Sequence, residues 1–170
     1  QRIGSALRLD DYKTKRVIRE HGLGLPFARG TFSAIFHHGS EHLVWKLTVD
    51  PATWESLTGP FKLRGPYALK SYSHEEVGEQ GDGKALYLIE VEKLMPLSSR
   101  REYQAWNNLS ETLQKKMIGS IHEYPHEDQR FALALERMAG EMPDDPLKDF
   151  IQQLSSFCIN IGAGVDFHSK

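Results

Sequence analysis

The spacing of apolar residues changes once along this chain, and that change limits what it can fold into. Between about residues 25 and 95 the apolar groups come in short β-rich runs, such as His42-Leu43-Val44-Trp45-Lys46-Leu47-Thr48-Val49 and the run from Lys84 to Val91. Glycine, proline and polar clusters separate these runs, as turn-forming residues do. From about 98 to 162 the apolar groups recur at every third or fourth position, as in Leu147, Phe150, Ile151, Leu154, Cys158 and Ile161, which is the spacing of one helix face. Strands first and helices second make an α+β chain. With 170 residues, 39% of them hydrophobic and 26% charged, the chain can bury a core and lies outside the disordered class.

Charge and cysteine content narrow the partners. A net charge of −2 supplies no global basic excess, so direct nucleic-acid binding and electrostatic membrane recruitment are not expected. Ala85 to Ile89 and Phe131 to Leu135 are among the longest apolar runs, far below the ~20 residues that cross a bilayer. No charged-then-apolar amino-terminal signal is present, and Gln1 to Ser5 carry no functional weight. Cys158 stands alone, which excludes an intrachain disulfide and points to a reducing compartment, with the cytoplasm as default. Its place on the apolar stripe makes it a small core residue.

Local signals place the elements. Residues 6–22 suit a short helix or arm at the domain edge. An antiparallel hairpin is expected to close near Gly39, and Asp50-Pro51-Ala52-Thr53 reads as a capped start for a short helix around 53–57. The stretch 71–84 reads as polar connection and Lys84–Val91 as a central strand. Ser98 or Ser99 is expected to cap a helix with Tyr103, Trp106 and Leu109 on one stripe, and Ser110 to open a second with Leu113, Met117 and Ile121. Asp144-Asp145-Pro146 starts the last helix and Gly162-Ala163-Gly164 ends it.

Three separated elements carry chemistry when taken together. The turn Phe27-Ala28-Arg29-Gly30-Thr31-Phe32-Ser33-Ala34 either closes a plain hairpin or brings backbone N–H groups to a polyphosphate. Lys46, inside an apolar strand, either snorkels to solvent or neutralises phosphate oxygens in a cleft. Asp166, in Gly164-Val165-Asp166-Phe167-His168-Ser169-Lys170, either ends the last helix or accepts a hydroxyl proton. Glycine turn, strand lysine, a strand running into Glu92-Lys93-Leu94, helices and a loop aspartate follow the order in which a bilobal kinase assembles its site.

The segments Gly30-Thr31-Phe32-Ser33-Ala34, Val44-Trp45-Lys46-Leu47, Tyr87-Leu88-Ile89-Glu90-Val91-Glu92 and Val165-Asp166-Phe167-His168-Ser169 resemble the amino-terminal part of the early serine/threonine protein kinase of T-seven-like podophages, over roughly residues 24–170. The resemblance implies a protein-kinase-like fold, with a small antiparallel β-sheet lobe and hinge over residues 1–95 and a truncated helical lobe over 96–170. It implies ATP and Mg2+ as cofactors, transfer of the γ-phosphate to host proteins, RNA polymerase and the transcription machinery among them, and the host cytoplasm as location. Position by position, Lys46 contacts the α- and β-phosphates, Asp166 is the catalytic aspartate, Gly30, Thr31, Phe32 and Ser33 cover the phosphates, and Glu92 to Leu94 offer backbone groups to adenine. Glu55 is the nearest candidate for an ion pair with Lys46.

The chain departs from that pattern in two ways. The glycine motif reduces to Gly30, with Ala28 and Ala34 near the other places. Sequence given to Lys170 stops where the magnesium-binding asparagine is expected, and the later metal-binding aspartate is also absent, so no metal ligand is assigned. The expectation is a fragment of a longer enzyme or a fold that serves binding. The rival readings are a catalytically inert kinase-like module that inhibits a host protein, and a small-molecule phosphotransferase, whose aspartate-x-histidine loop is also similar to Asp166-Phe167-His168. His122 with His126, and His37 with His38, read as solvated loop residues, and Arg100-Arg101 and Lys115-Lys116 as solvated helix faces. Trp45, Trp54 and Trp106 read as packing residues, since nothing basic interleaves with them.

Overall fold

The computed structural model describes residues 6–123 and 126–162. Among them the order is α1 (Tyr12–Glu20), β1 (Pro26–Arg29), β2 (Ser33–His37), β3 (Leu43–Thr48), α2 (Pro51–Thr58), β4 (Ser71–Glu79), β5 (Ala85–Glu92), α3 (Arg100–Gly119), α4 (Glu127–Gly140) and α5 (Pro146–Ile161). The fold is α+β, with one antiparallel five-stranded sheet in the order β1-β2-β3-β5-β4. The residues form two compact units. One runs to Gly59 and resumes over Leu69–Leu94, and the other takes Pro60–Ala68 and continues from Met95.

In the first unit, β3 and β5 lie inside the sheet and β1 and β4 form its edges. Alternation along the inner strands sends side chains to both faces, and each face has its own cluster. Val17 of α1 and Leu23 join Ala34, Phe36, Leu47, Val49, Leu86 and Leu88 on one face, with Leu7, Leu9, Ile18, Trp45 and Val77 packed around them. Leu57 of α2 joins Val44, Ile89 and Val91 on the other, with Ile35, Trp54 and Leu69. Covering both faces explains why β3 and β5 read as nearly continuous apolar runs. Asp11 caps α1 through Lys13 N–H and Thr14 N–H at 2.9 and 3.1 Å, and Asp50 caps α2, with Pro51 in the first turn.

The stretch 71–84, expected as polar connection, contains a nine-residue strand, β4. Its residues are mostly exposed because it is an edge strand, so water selects polar side chains where the inner strands take apolar ones. Register irregularities between Ser71 and Ser73 and between Glu76 and Gly78 break the alternation as well.

In the second unit, α3 is one helix where two were expected. Ser99 is its N-cap, in a capping box with Glu102, whereas Ser110 lies in its interior, fully buried. With neither glycine nor proline between Leu109 and Leu113, nothing interrupts the ladder. Phe131, Ala132, Ala134, Leu135, Met138 and Ala139 of α4 and Ile151, Leu154, Phe157 and Cys158 of α5 are buried, and the two helices pack together, with Ser155 Oγ donating to Ala132 C=O at 2.9 Å. Asp145 caps α5, and Gly162 ends it at φ 67°, the left-handed conformation that favours glycine. The segment Pro60–Ala68 lies along this helix, where Gln153 accepts from Arg64 N–H and donates to Arg64 C=O at 2.9 and 3.1 Å.

Candidate functional site

Lys46 occupies the middle of β3, paired with Ile35 of β2 on one side and Ile89 of β5 on the other. Directly paired residues share a face, so its side chain projects on the α2 side of the sheet among Ile35, Val44, Ile89 and Val91. Burial pushes its ammonium below the usual lysine range, with the Asp50 carboxylate opposing the shift. Desolvation dominating attraction means that the cation stands in a low-dielectric setting without full compensation. The residue as a whole is half-buried, with its apolar stem covered by its sheet neighbours.

Asp50 is the carboxylate whose charge acts on Lys46, and both it and the expected partner Glu55 are engaged elsewhere. Asp50 spends its oxygens on the start of α2, accepting from Ala52 N–H and Thr53 N–H at 3.1 Å each and from Thr53 Oγ1 at 2.6 Å. Glu55, the expected partner, lies with its carboxylate against Gly59, where any Cβ would collide with it, and its charge acts on Tyr87, whose phenol burial and the Glu76 and Glu55 charges push up. Among the described residues Lys46 forms no ion pair. Sequence reasoning recognised Asp50 as a helix cap and missed it as the nearest charge, because the β3-to-α2 turn alone brings it back beside the strand.

The glycine turn is held from several sides. Gly30 N–H donates to Ser33 C=O at 2.8 Å, Leu7 N–H to Thr31 C=O at 2.8 Å, and Val49 N–H to Phe32 C=O at 3.0 Å. Thr48 Oγ1 also donates to Phe32 C=O at 3.0 Å. Gly30 lies outside the positive-φ glycines, and a Cβ there would meet open space. The glycine therefore leaves room at the tip of the turn and is not required by its backbone. Ser33, at the closing pair opposite Thr48, is two residues from Ile35 and shares its face with Lys46.

The strand end proposed for adenine is partly committed. Glu92 N–H donates to Lys70 C=O at 3.1 Å and Lys93 N–H to His42 C=O at 2.9 Å, while the Glu92 carboxylate accepts from Lys70 N–H at 3.0 Å. Leu94 follows, 67% exposed, with no backbone hydrogen bond from its N–H among the described residues. It is the last residue of the first unit. Asp166 lies outside the described residues. No group of three acidic, histidine or cysteine side chains among the described residues could hold a metal ion.

Comparison with protein-family models, with curated proteins and with solved structures finds no match.

One loop residue departs from its expected solvated state. His38 is half-buried, its Nδ1 accepting from Ser40 N–H at 2.9 Å and its Nε2 lying 2.7 Å from Glu90 Oε2. Its ring lies 5.0 Å from that of Trp45. Glu90 pairs with Trp45 across β3 and β5, on the α1 face, so this cluster is separated from Lys46 by the thickness of the sheet. His37 is exposed and stacks on Phe27 at 4.4 Å. No helix among the described residues is long and apolar enough to cross a membrane.

Proposed function

We propose that the chain is a phosphotransferase of the protein-kinase-like class, a small sheet lobe followed by the beginning of a helical lobe, that transfers the γ-phosphate of ATP to serine or threonine of host proteins in a phage-infected cell, the transcription machinery among its targets. One observation carries the reading. Lys46 is a half-buried cation on the central part of a sheet, its ammonium pushed down by burial, with no ion pair among the described residues. A fold retains such a charge at a cost in stability when an anion is to meet it. The element order supports the same reading: the glycine turn joins β1 and β2, the lysine is on β3, and α2 follows, the sequence of parts by which a kinase sets its phosphate-binding groups.

On this proposal Lys46 neutralises phosphate oxygens, and the open space at Gly30 lets the turn cover them. Leu94 N–H is the backbone donor left for the adenine edge. Asp166 orients the acceptor hydroxyl. The experiment is binding of a fluorescent ATP analogue together with transfer of labelled phosphate to a protein acceptor. Lys46→Ala should abolish both, and Asp166→Asn should abolish transfer while sparing binding. Nucleotide binding of the same strength in Lys46→Ala defeats the reading, and phosphorylation of small alcohols in place of proteins assigns the chain to the small-molecule phosphotransferases.

A further inference from the structure

In the first unit a cavity of about 790 Å³ is lined by Ala6, Leu7, Arg8, Leu9, Asp10, Lys15, Arg29, Gly30, Thr31 and Ser33; it shares the glycine turn with the proposed nucleotide site, while Arg8, Lys15 and Arg29 have no part in that reaction. We infer that this cavity is a second anion site, built for a phosphoryl oxyanion carrying more than one negative charge. Its lining holds three cations, Arg8, Lys15 and Arg29, against the single carboxylate of Asp10. None of the three cations is in an ion pair among the described residues, whereas Lys13 and Arg16, on the same helix as Lys15, are paired with Glu79 and Glu20. Two guanidinium forks, an ammonium and the hydroxyls of Thr31 and Ser33, set against the one carboxylate of Asp10, make a donor-rich lining of the type that phosphate oxygens satisfy.

The walls are fixed before any ligand arrives. Leu7 N–H is bonded to Thr31 C=O at 2.8 Å. Gln80, fully buried, accepts from Arg8 N–H at 2.9 Å and donates to Ala6 C=O at 2.9 Å. The arm is thus tied to both hairpin turns at one end of the sheet, and the cations it carries are held near Arg29 with little ordering left to be done on binding. The cations lie away from Lys46, because the arm packs through Leu7 and Leu9 on the α1 cluster while Lys46 lies among the residues of the α2 cluster; the glycine turn is the part common to both.

The test uses the full chain and calorimetric titration with inorganic pyrophosphate, with a phosphoserine peptide and with its unphosphorylated counterpart. In the Lys46→Ala background, which removes phosphate binding at the proposed nucleotide site, saturable binding of a phosphorylated probe is expected to persist, to weaken ~10-fold on adding any one of Arg8→Gln, Lys15→Gln and Arg29→Gln, and to be lost when all three are added. These side chains are exposed, so thermal melting should show the variants folded. Tighter binding of the phosphopeptide names a phosphorylated side chain as the source, and tighter binding of pyrophosphate names a free phosphate. Absence of saturable binding in Lys46→Ala, or binding there that survives the three cation substitutions, overturns the inference.

Discussion

Lys46 and Ile89 stand directly opposite one another across β3 and β5, so an ammonium group shares its stretch of sheet face with one of the most buried side chains of the protein. Replacing the lysine by an apolar group of similar length removes the desolvation cost and keeps the packing. Lys46→Met should raise unfolding free energy by ~1–2 kcal/mol at neutral pH while removing nucleotide binding. The pH dependence follows the sign of the shift. The folded chain releases this proton before the unfolded chain does, so stability rises with pH from the depressed folded value up to the ordinary lysine value of 10.5. Urea melts of both proteins across that window check the expectation, and a destabilised Lys46→Met would show the lysine to be a structural residue.

Ser110 is buried in α3 with its Oγ lacking any hydrogen-bond partner among the described residues. Ser110→Ala removes an unsatisfied polar atom and improves helix propensity, and should stabilise the second unit by ~1 kcal/mol. The melting temperature should rise, and a fall would indicate that the hydroxyl has a partner.

Gln80 is a buried clamp whose removal strands the backbone groups of Arg8 and Ala6. Gln80→Leu should cost ~2–3 kcal/mol. Hydrogen exchange at Leu7 and Arg8 should accelerate far more than at Leu88 in the sheet centre. Equal acceleration at both would mean that the arm does not open separately.

The Glu102 carboxylate is held below its ordinary value by the backbone N–H groups of Ser98 and Ser99. A depressed folded value contributes stability above the unfolded value of 4.5 that is lost as pH falls through the folded value. Ser99→Ala, which removes the reciprocal half of the capping box, should cost ~1 kcal/mol. An NMR titration should place the Glu102 midpoint below 4.5, and a midpoint at that value would contradict the cap.

What could be read from the chain followed the strength of its local codes. β3 and β5 are legible because both faces are covered, and α5 because Asp145, Pro146 and Gly162 bracket an uninterrupted apolar stripe. β4 is illegible as an edge strand with polar residues on both sides, and the single α3 was hidden by Ser110, which reads as a cap until its burial is known. The helical nature of α4 was missed for a related reason: Phe131-Ala132-Leu133-Ala134-Leu135 is too short an apolar run for periodicity to separate helix from strand, and His126 at its start makes no side-chain cap.

Sequence alone determined the α+β class, the caps of α2, α3 and α5, and the presence of a lysine within an apolar strand, since each is set by neighbours a few positions apart. Tertiary structure decided that Lys46 faces α2 without a paired carboxylate, that His38 meets Glu90, and that Arg8, Lys15 and Arg29 line one cavity with the glycine turn. Those relations depend on strand register and on which face each helix covers. Both are fixed by burial of the whole sheet, a sum over contacts between distant residues that no local spacing encodes.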